Sequence, residues 1–382
     1  MDIAVISFHH SESSVVLAKY LAEFNKVHYY YVTDRSKKSI TGVGFLSEKN
    51  FKVGLNHISL KEDHPLYTYL KNDNLKISVI AYPTFRSSFK RINQFLTRIF
   101  LKGFKKNHYD IVNIIGQLDL LVSFYKPLAR YKIVHSLHEV ANHYEGQKLK
   151  LDLLKLLYQK QIPVIVHSKN SFERLMAQFP FDHGKVLTVP FGLFETYQLF
   201  STGSVVEDEK TVLFYGFLKP YKGLATFINA IRYARNVIPD IKAIVAGAGD
   251  DPALELIADD PSFELINRFL DSEEIVAFNE KASIIVCPYT SASQSGIITT
   301  SFVFNKPIIA SDIGGFKEII TNNVNGYLVP VGDYEAIGKD IIKLLSNRML
   351  LNECKANIKI LFESGEFSWP DIVDKTIAFY KS

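Results

Sequence analysis

The sequence predicts an α/β protein built from two doubly wound domains that face each other across a cleft. Three observations carry this prediction. Short apolar runs alternate with helical patterns along most of the chain. The alternation stops over the polar and acidic residues 193–210, and then a second series starts. The length of 382 residues suits two domains of ordinary size.

The elements follow in order. Residues 3–7 form an apolar run of strand length, 8–14 a polar turn, and 15–24 a helix. Residues 27–32 and 77–81 are further strands, the second followed by a long helix. Runs at 111–115, 133–137, 164–166 and 186–190 complete the first half. Such runs lack polar alternation, which marks strands buried on both faces of a parallel sheet. Residues 33–73 are less regular and read as loops or a hairpin. In the second half the strands are 212–215, 243–246, 263–266, 283–286, 308–310 and 327–329. A boundary falls within 190–208, and a last helix follows the completed second sheet.

Composition narrows the class. A content of 47% hydrophobic residues excludes global disorder, and a net charge of +4 does not by itself argue for a nucleic-acid partner. The two cysteines, Cys287 and Cys354, have no metal-like spacing and suit a reducing compartment. The first residues lack the basic and apolar regions of a secretory signal, and no apolar run reaches about 18 residues. The expectation is a cytoplasmic enzyme.

Residues 286–318 organise the second half. An apolar strand ends at Cys287-Pro288, the polar segment 291–296 follows, a helix runs from Ile297 to Phe304, and Pro307 restarts a strand. This order sets a helix N-terminus beside the C-terminal ends of parallel strands. Free backbone N–H groups and the helix dipole suit such a place to a phosphate, so a nucleoside diphosphate is expected here.

Several ordered motifs carry a family resemblance. Val212-Leu213-Phe214-Tyr215-Gly216, then Lys219, then Lys222-Gly223-Leu224, form one. Ala243 to Gly249 gives a strand with a Gly-x-Gly turn, and Pro307 to Glu318 reads Pro-Ile-Ile-Ala-Ser-Asp-Ile-Gly-Gly-Phe-Lys-Glu. Asn325 to Val329 and Phe367-Ser368-Trp369 follow. Together they resemble the retaining GT-B glycosyltransferases, in particular glycosyltransferase family 4 (group 1), of the bacterial surface-polysaccharide type. The resemblance implies two Rossmann-like domains, 1–192 for the acceptor and 193–366 for the nucleotide-sugar, with helix 367–382 crossing back to the first. It implies sugar transfer with retained configuration from a UDP- or GDP-sugar to a lipid-linked or oligosaccharide acceptor. It implies no metal and no separate cofactor.

The implied site residues fall as follows. Lys222 reaches the diphosphate, where a cation stabilises charge on the leaving group. Gly216, Gly247 and Gly249 shape turns beside the nucleotide. The family's arginine after the first glycine is Phe217 here, and Lys219 is the nearest substitute. Two family glutamates fall on Ala292 and Thr300, so both carboxylates are absent. Gln294, Ser295, Gly296 and Ile297 open the helix there, as neutral ligand contacts or as a simple cap, and Thr300 is a ribose contact. Glu318 is a ligand or a helix cap. Arg268, Phe269 and Leu270 lie where the base is cradled. In the first half, His138 ends a strand near the reacting sugar, and His9, His10 and Gly116 are acceptor-side contacts.

Residues 86–106 hold seven Lys or Arg and no acid, with Phe89, Ile92, Phe95, Leu96, Ile99, Phe100 and Phe104 at helical spacing. This reads either as a core-packed helix with a solvated basic face or as a peripheral contact with an anionic membrane. Loss of the arginine and both glutamates keeps open a second function, a catalytically degenerate protein that binds and stabilises an active transferase.

Overall fold

The computed structural model describes residues 1–8, 10–35, 51–58, 62, 64–117, 119–140, 151–292 and 296–382. The described chain divides into two compact units. The first runs to Gly192 and takes back Trp369–Ser382, and the second includes Leu193–Ser368.

The first unit contains β1 (Asp2–Phe8), β2 (Lys26–Asp34), β3 (Gly54–His57), β4 (Leu75–Tyr82), β5 (Ile111–Ile115), β6 (Lys132–Leu137), β7 (Val164–Val166) and β8 (Val186–Thr188). They form one sheet in the order β3-β4-β2-β1-β5-β6-β7-β8. Every pairing is parallel except β3 with β4, so the irregular region supplies an antiparallel edge strand rather than a tight hairpin. A short helix, Pro65–Leu70, separates these two strands. The central strands are apolar because helices cover both faces. Ile3, Val5, Val112 and Ile114 are fully buried. Buried Asn113 on β5 donates to the Tyr380 hydroxyl at 2.7 Å and accepts from Ser136 at 3.0 Å. That bond, with Trp369 stacked on Tyr20, fastens the final helix Trp369–Lys381 to this unit.

The first helix spans Ser11–Leu21, so it starts earlier than its apolar pattern suggests. Ser14 lies inside the fold, with its hydroxyl bonded to Ser7, to the His10 carbonyl and to Tyr29. These bonds let a serine-rich first turn be helical.

The second unit contains β9 (Thr211–Tyr215), β10 (Lys242–Ala246), β11 (Phe263–Ile266), β12 (Ile284–Cys287), β13 (Ile308–Ser311) and β14 (Gly326–Val329). Their spatial order is β11-β10-β9-β12-β13-β14, all parallel. In chain order this is 3-2-1-4-5-6, the order of a dinucleotide-binding fold. Apolar clusters fill both faces of the sheet. Strand order reverses between β9 and β12, and ligands in such sheets bind outside the strand ends at that reversal. Ahead of β9, residues Glu195–Phe200 form a 3-10 helix that the polar composition of 193–210 hides.

The basic helix Lys90–Phe104 has two faces of different chemistry. Its buried residues are Asn93, Thr97, Leu101 and Phe104. Asn93 donates to the Thr84 carbonyl at 2.7 Å, and Thr97 shares a 2.7 Å bond with the Tyr82 hydroxyl. A partly polar face therefore packs inward. Ile92, Phe95 and Ile99 stay 50%, 62% and 43% exposed. The expected single apolar face is split between core and surface.

Candidate functional site

The reversal point of the second sheet is built by two loops. After β9 come Gly216, the single 3-10 turn Pro220–Lys222, and Gly223 in the left-handed region at φ 76°. After β12 come Pro288, Tyr289 and then the helix Gly296–Val303. The loops touch closely. A Cβ on Gly223 would lie 2.0 Å from the Pro288 carbonyl oxygen. The Thr290 N–H donates to the Tyr221 carbonyl at 2.8 Å. Gly216 has φ 110°, and a Cβ there would meet Ile297 Cδ1 at 2.7 Å. The fold thus brings together Gly216, Lys222, Gly296 and Ile297.

Lys222 is the main charge at this point. It is only 8% exposed, and its Nζ donates to the Tyr289 hydroxyl at 2.7 Å. The ammonium also lies 4.1 Å from the Tyr289 ring centre and 5.7 Å from that of Tyr221. No carboxylate among the described residues pairs with it. Burial lowers its pKa from 10.5 to about 8, opposed by the nearby Cys287. Burial in turn raises the Cys287 thiol to about 12. A buried cation with no carboxylate partner among the described residues, beside the start of a helix, is an arrangement that an anion completes.

Other expected donor residues have partners within the fold. Lys219 pairs with Asp250 at 2.7 Å on the surface. Gly247 and Gly249 meet close backbone approaches: Cβ atoms there would lie 1.8 Å from the Gly216 carbonyl oxygen and 2.0 Å from that of Leu218. Arg268 forks onto Glu274, one arm at 2.7 Å, and Glu274 also closes a capping box with Asp271. Phe269 is 57% exposed and meets Phe217 edge-on at 6.0 Å. Leu270 is half-buried against the core. Thr300 is buried at 4% exposure, on the helix turn beside Tyr215, and Glu318 lies exposed in the first turn of helix Phe316–Ile319. Gln294 and Ser295 lie outside the described residues, as does His9.

In the first unit, strand order reverses between β1 and β5. Gly116, just past β5, has φ 126° and packs directly on Phe8 at the end of β1. Its carbonyl bonds His135 Nε2 at 2.8 Å, while His135 Nδ1 meets the Tyr125 hydroxyl at 2.5 Å. His138 stacks on His10 at 3.7 Å and contacts His167 and Phe191 at 5.0 and 4.7 Å. Burial drives the His138 pKa well below 6.5, and His10, His167 and His135 push the same way. Burial likewise lowers His167 to about 3 and His135 to about 4. These rings are neutral near pH 7. His167, Phe191, Tyr221 and Tyr289 were not singled out by sequence. His167, Phe191 and Tyr289 lie just beyond strand ends, and Tyr221 lies in the turn beside Lys222; these positions are the signal that could have found them.

Among the described residues no group of three His, Cys, Asp or Glu is arranged to hold a metal. Among the described residues no helix is long and apolar enough to cross a membrane.

Residues 209–347 match the family model of the group 1 glycosyl transferases. The phosphatidyl-myo-inositol mannosyltransferase of Mycobacterium leprae is 28% identical over 146 residues, covering 37% of this chain and 38% of that protein. The chain thus matches about two fifths of the length of this curated relative. Over its whole length the fold is similar to Anabaena Alr3699/HepE in complex with UDP and glucose, with a TM-score of 0.67, 15% identity and 100% coverage of both chains. Sucrose-phosphate synthase from Thermosynechococcus elongatus is similar at a TM-score of 0.64 and 17% identity, covering 100% of this chain and 98% of that one. The chain therefore has the GT-B fold, two Rossmann-like α/β units, and its residues 209–347 are similar to the group 1 glycosyl transferases.

Proposed function

We propose that the protein is a glycosyltransferase that moves a sugar from a UDP- or GDP-sugar to an acceptor hydroxyl with retained configuration, without a metal. The observation that carries this reading is Lys222, a buried ammonium with no carboxylate partner among the described residues at the reversal point of the nucleotide-type sheet. The family match over 209–347 and the UDP and glucose bound to a protein of the same fold support it. Lys222 and the helix start at Gly296 hold the diphosphate. Phe269 and Leu270 line the base, and Lys219 adds charge at the edge.

In this reading the sugar–phosphate bond breaks as the acceptor hydroxyl attacks from the same face. The departing phosphate takes the hydroxyl proton, and Lys222 stabilises the growing negative charge. Neutral His138 orients sugar hydroxyls through hydrogen bonds. The two positions where the family has glutamates, Ala292 and Thr300, supply no carboxylate, so neutral contacts replace them.

The acceptor in this proposal is a lipid-linked glycan of surface-polysaccharide synthesis, met at the inner face of the cell membrane. The exposed Ile92, Phe95 and Ile99 lie on one helix with Lys90, Arg91 and Lys102, and Lys105 follows at its C-terminal cap, as in an interfacial anchor. Co-sedimentation with anionic vesicles tests the anchor. Reversal of those four charges should abolish it, and unchanged sedimentation removes it from the proposal.

The core test is calorimetric titration with UDP, GDP and ADP, followed by a sugar screen on the base that binds. The expected result is micromolar binding of one diphosphate and transfer or slow hydrolysis of its sugar derivative. Binding of none overturns the transferase reading. Binding with no turnover of any sugar favours the degenerate partner.

A further inference from the structure

We propose that Tyr289 is the positioning residue of the site, a neutral tether that holds the Lys222 ammonium in place without cancelling its charge. The inference rests on the reading of Lys222 as the diphosphate ligand and adds the means by which that cation is aimed. A lysine has a flexible four-carbon stem, so a free ammonium would have to be ordered when the donor arrives. Here one of its three N–H donors is already used on the Tyr289 hydroxyl at 2.7 Å, and its charge lies 4.1 Å from the ring of the same residue. Two N–H donors remain for an incoming anion.

Tyr289 is itself fixed. It is 2% exposed, and its ring packs edge-on against Phe316 at 5.5 Å. The backbone around it is stitched to the lysine's own loop on both sides. Gly223 lies against the Pro288 carbonyl, and the Thr290 N–H bonds the Tyr221 carbonyl. The hydroxyl therefore has a set place relative to Lys222 before any ligand binds, which is the condition for electrostatic preorganisation.

The choice of a phenol over a carboxylate has a chemical consequence. The other buried lysine of this unit, Lys306, sits 2.6 Å from Glu207. A carboxylate at position 289 would likewise pair with Lys222 and compete with the diphosphate. A phenol accepts one hydrogen bond and leaves the positive charge uncompensated.

The test uses Tyr289→Phe, Tyr289→Glu and Lys222→Met in the full chain. Binding of UDP, GDP and ADP is compared with binding of uridine, guanosine and adenosine across pH 6 to 9. The Phe variant keeps the ring and its packing. It should lose about tenfold in diphosphate affinity, leave nucleoside affinity unchanged, and lose its diphosphate affinity at a lower pH than the parent. The Glu variant should lose more than the Phe variant, although it binds the ammonium more strongly. If Lys222→Met weakens diphosphate binding while Tyr289→Phe matches the parent in affinity and pH profile, the tether is overturned and the Lys222 reading stands. If Tyr289→Phe weakens nucleoside and diphosphate alike, its role is structural and the tether is overturned. If Lys222→Met loses nothing, the reading of Lys222 itself falls.

Discussion

Two lysines of the second unit are buried to nearly the same degree and are treated in opposite ways. Lys306 is 4% exposed and Lys222 is 8% exposed. Lys306 lies 2.6 Å from Glu207, which also holds Lys355 at 2.5 Å and accepts from the Ser283 hydroxyl at 2.9 Å. Lys222 has a phenol and two aromatic faces. The first arrangement closes its own electrostatics and ties the segment before β9 to the turn before β13 and to helix Arg348–Glu363. The second leaves a charge standing at the place where the fold receives ligands. The difference separates a cation paired with a carboxylate from one that has none among the described residues, a distinction that burial does not make.

The largest effect should come from breaking the closed group. Glu207→Ala leaves Lys306 buried without its anion, and about 3–5 kcal/mol of stability should be lost. Urea unfolding measures this. Burial raises the Glu207 pKa, but the bonds from Lys306 and Lys355 outweigh that and hold it below 4.5. Its contribution is therefore present above pH 4.5 and is lost as pH falls through the depressed value. Parent and variant should converge in strongly acidic solution. A loss that does not depend on pH would show that the glutamate acts through packing alone.

Next in size is the opposite response at the open site. Lys222→Met removes a cation whose pKa is lowered from 10.5 to about 8 by burial. That drop corresponds to roughly 3 kcal/mol of penalty at pH 7. The unfolded chain binds the extra proton between pH 8 and 10.5, so parental stability should rise with pH through that window. The ligand-free variant should be more stable than the parent at pH 7 and lack the rise, as read by thermal unfolding at fixed ionic strength. A destabilised variant would place Lys222 with Lys306 as a structural residue.

What the sequence made legible follows the same division. The strands were readable because helices cover both faces, so β1, β5, β9 and β12 are unbroken apolar runs. The position of Lys222 at the reversal of the second sheet was readable because its motif is local, within eight residues of the end of β9. Tyr289 was not, because its partner is 67 positions away and only the sheet brings them together. Lys219 and Arg268 looked like ligand contacts, yet Asp250 is 31 positions from one and Glu274 only 6 from the other. The second pairing was within reach, since Asp271 and Glu274 spell a capping box. The helix Lys90–Phe104 misled for a different reason. Its inward face carries Asn93 and Thr97, whose bonds to Thr84 and Tyr82 no hydrophobic period reveals.

A smaller effect is expected where the family's arginine is missing. Phe217 is 49% exposed and contacts Phe269. Phe217→Arg would add a forked cation beside Gly216, and a charged hydrogen bond to the diphosphate should raise affinity by about tenfold. Nucleoside affinity should stay level or fall slightly as the aromatic contact is lost. Titration of diphosphate and nucleoside side by side reads both. No gain for the diphosphate would mean that Lys222 already satisfies the phosphates from its tethered position.

The smallest change concerns Lys219, whose ammonium is held by Asp250 in a pair exposed on both sides. Solvent screening makes such a pair weak, so it can be exchanged for a ligand phosphate at little cost. Asp250→Asn frees the lysine without moving the backbone. If Lys219 contributes to phosphate binding, affinity should rise by no more than about fivefold at low salt, and the gain should vanish as ionic strength increases. Thermal stability should be nearly unchanged. A gain that persists in high salt would require a desolvated contact, and Lys219 would then belong with Lys222 rather than with the surface charges. No gain at any salt would leave Lys222 as the site's only cation from this loop.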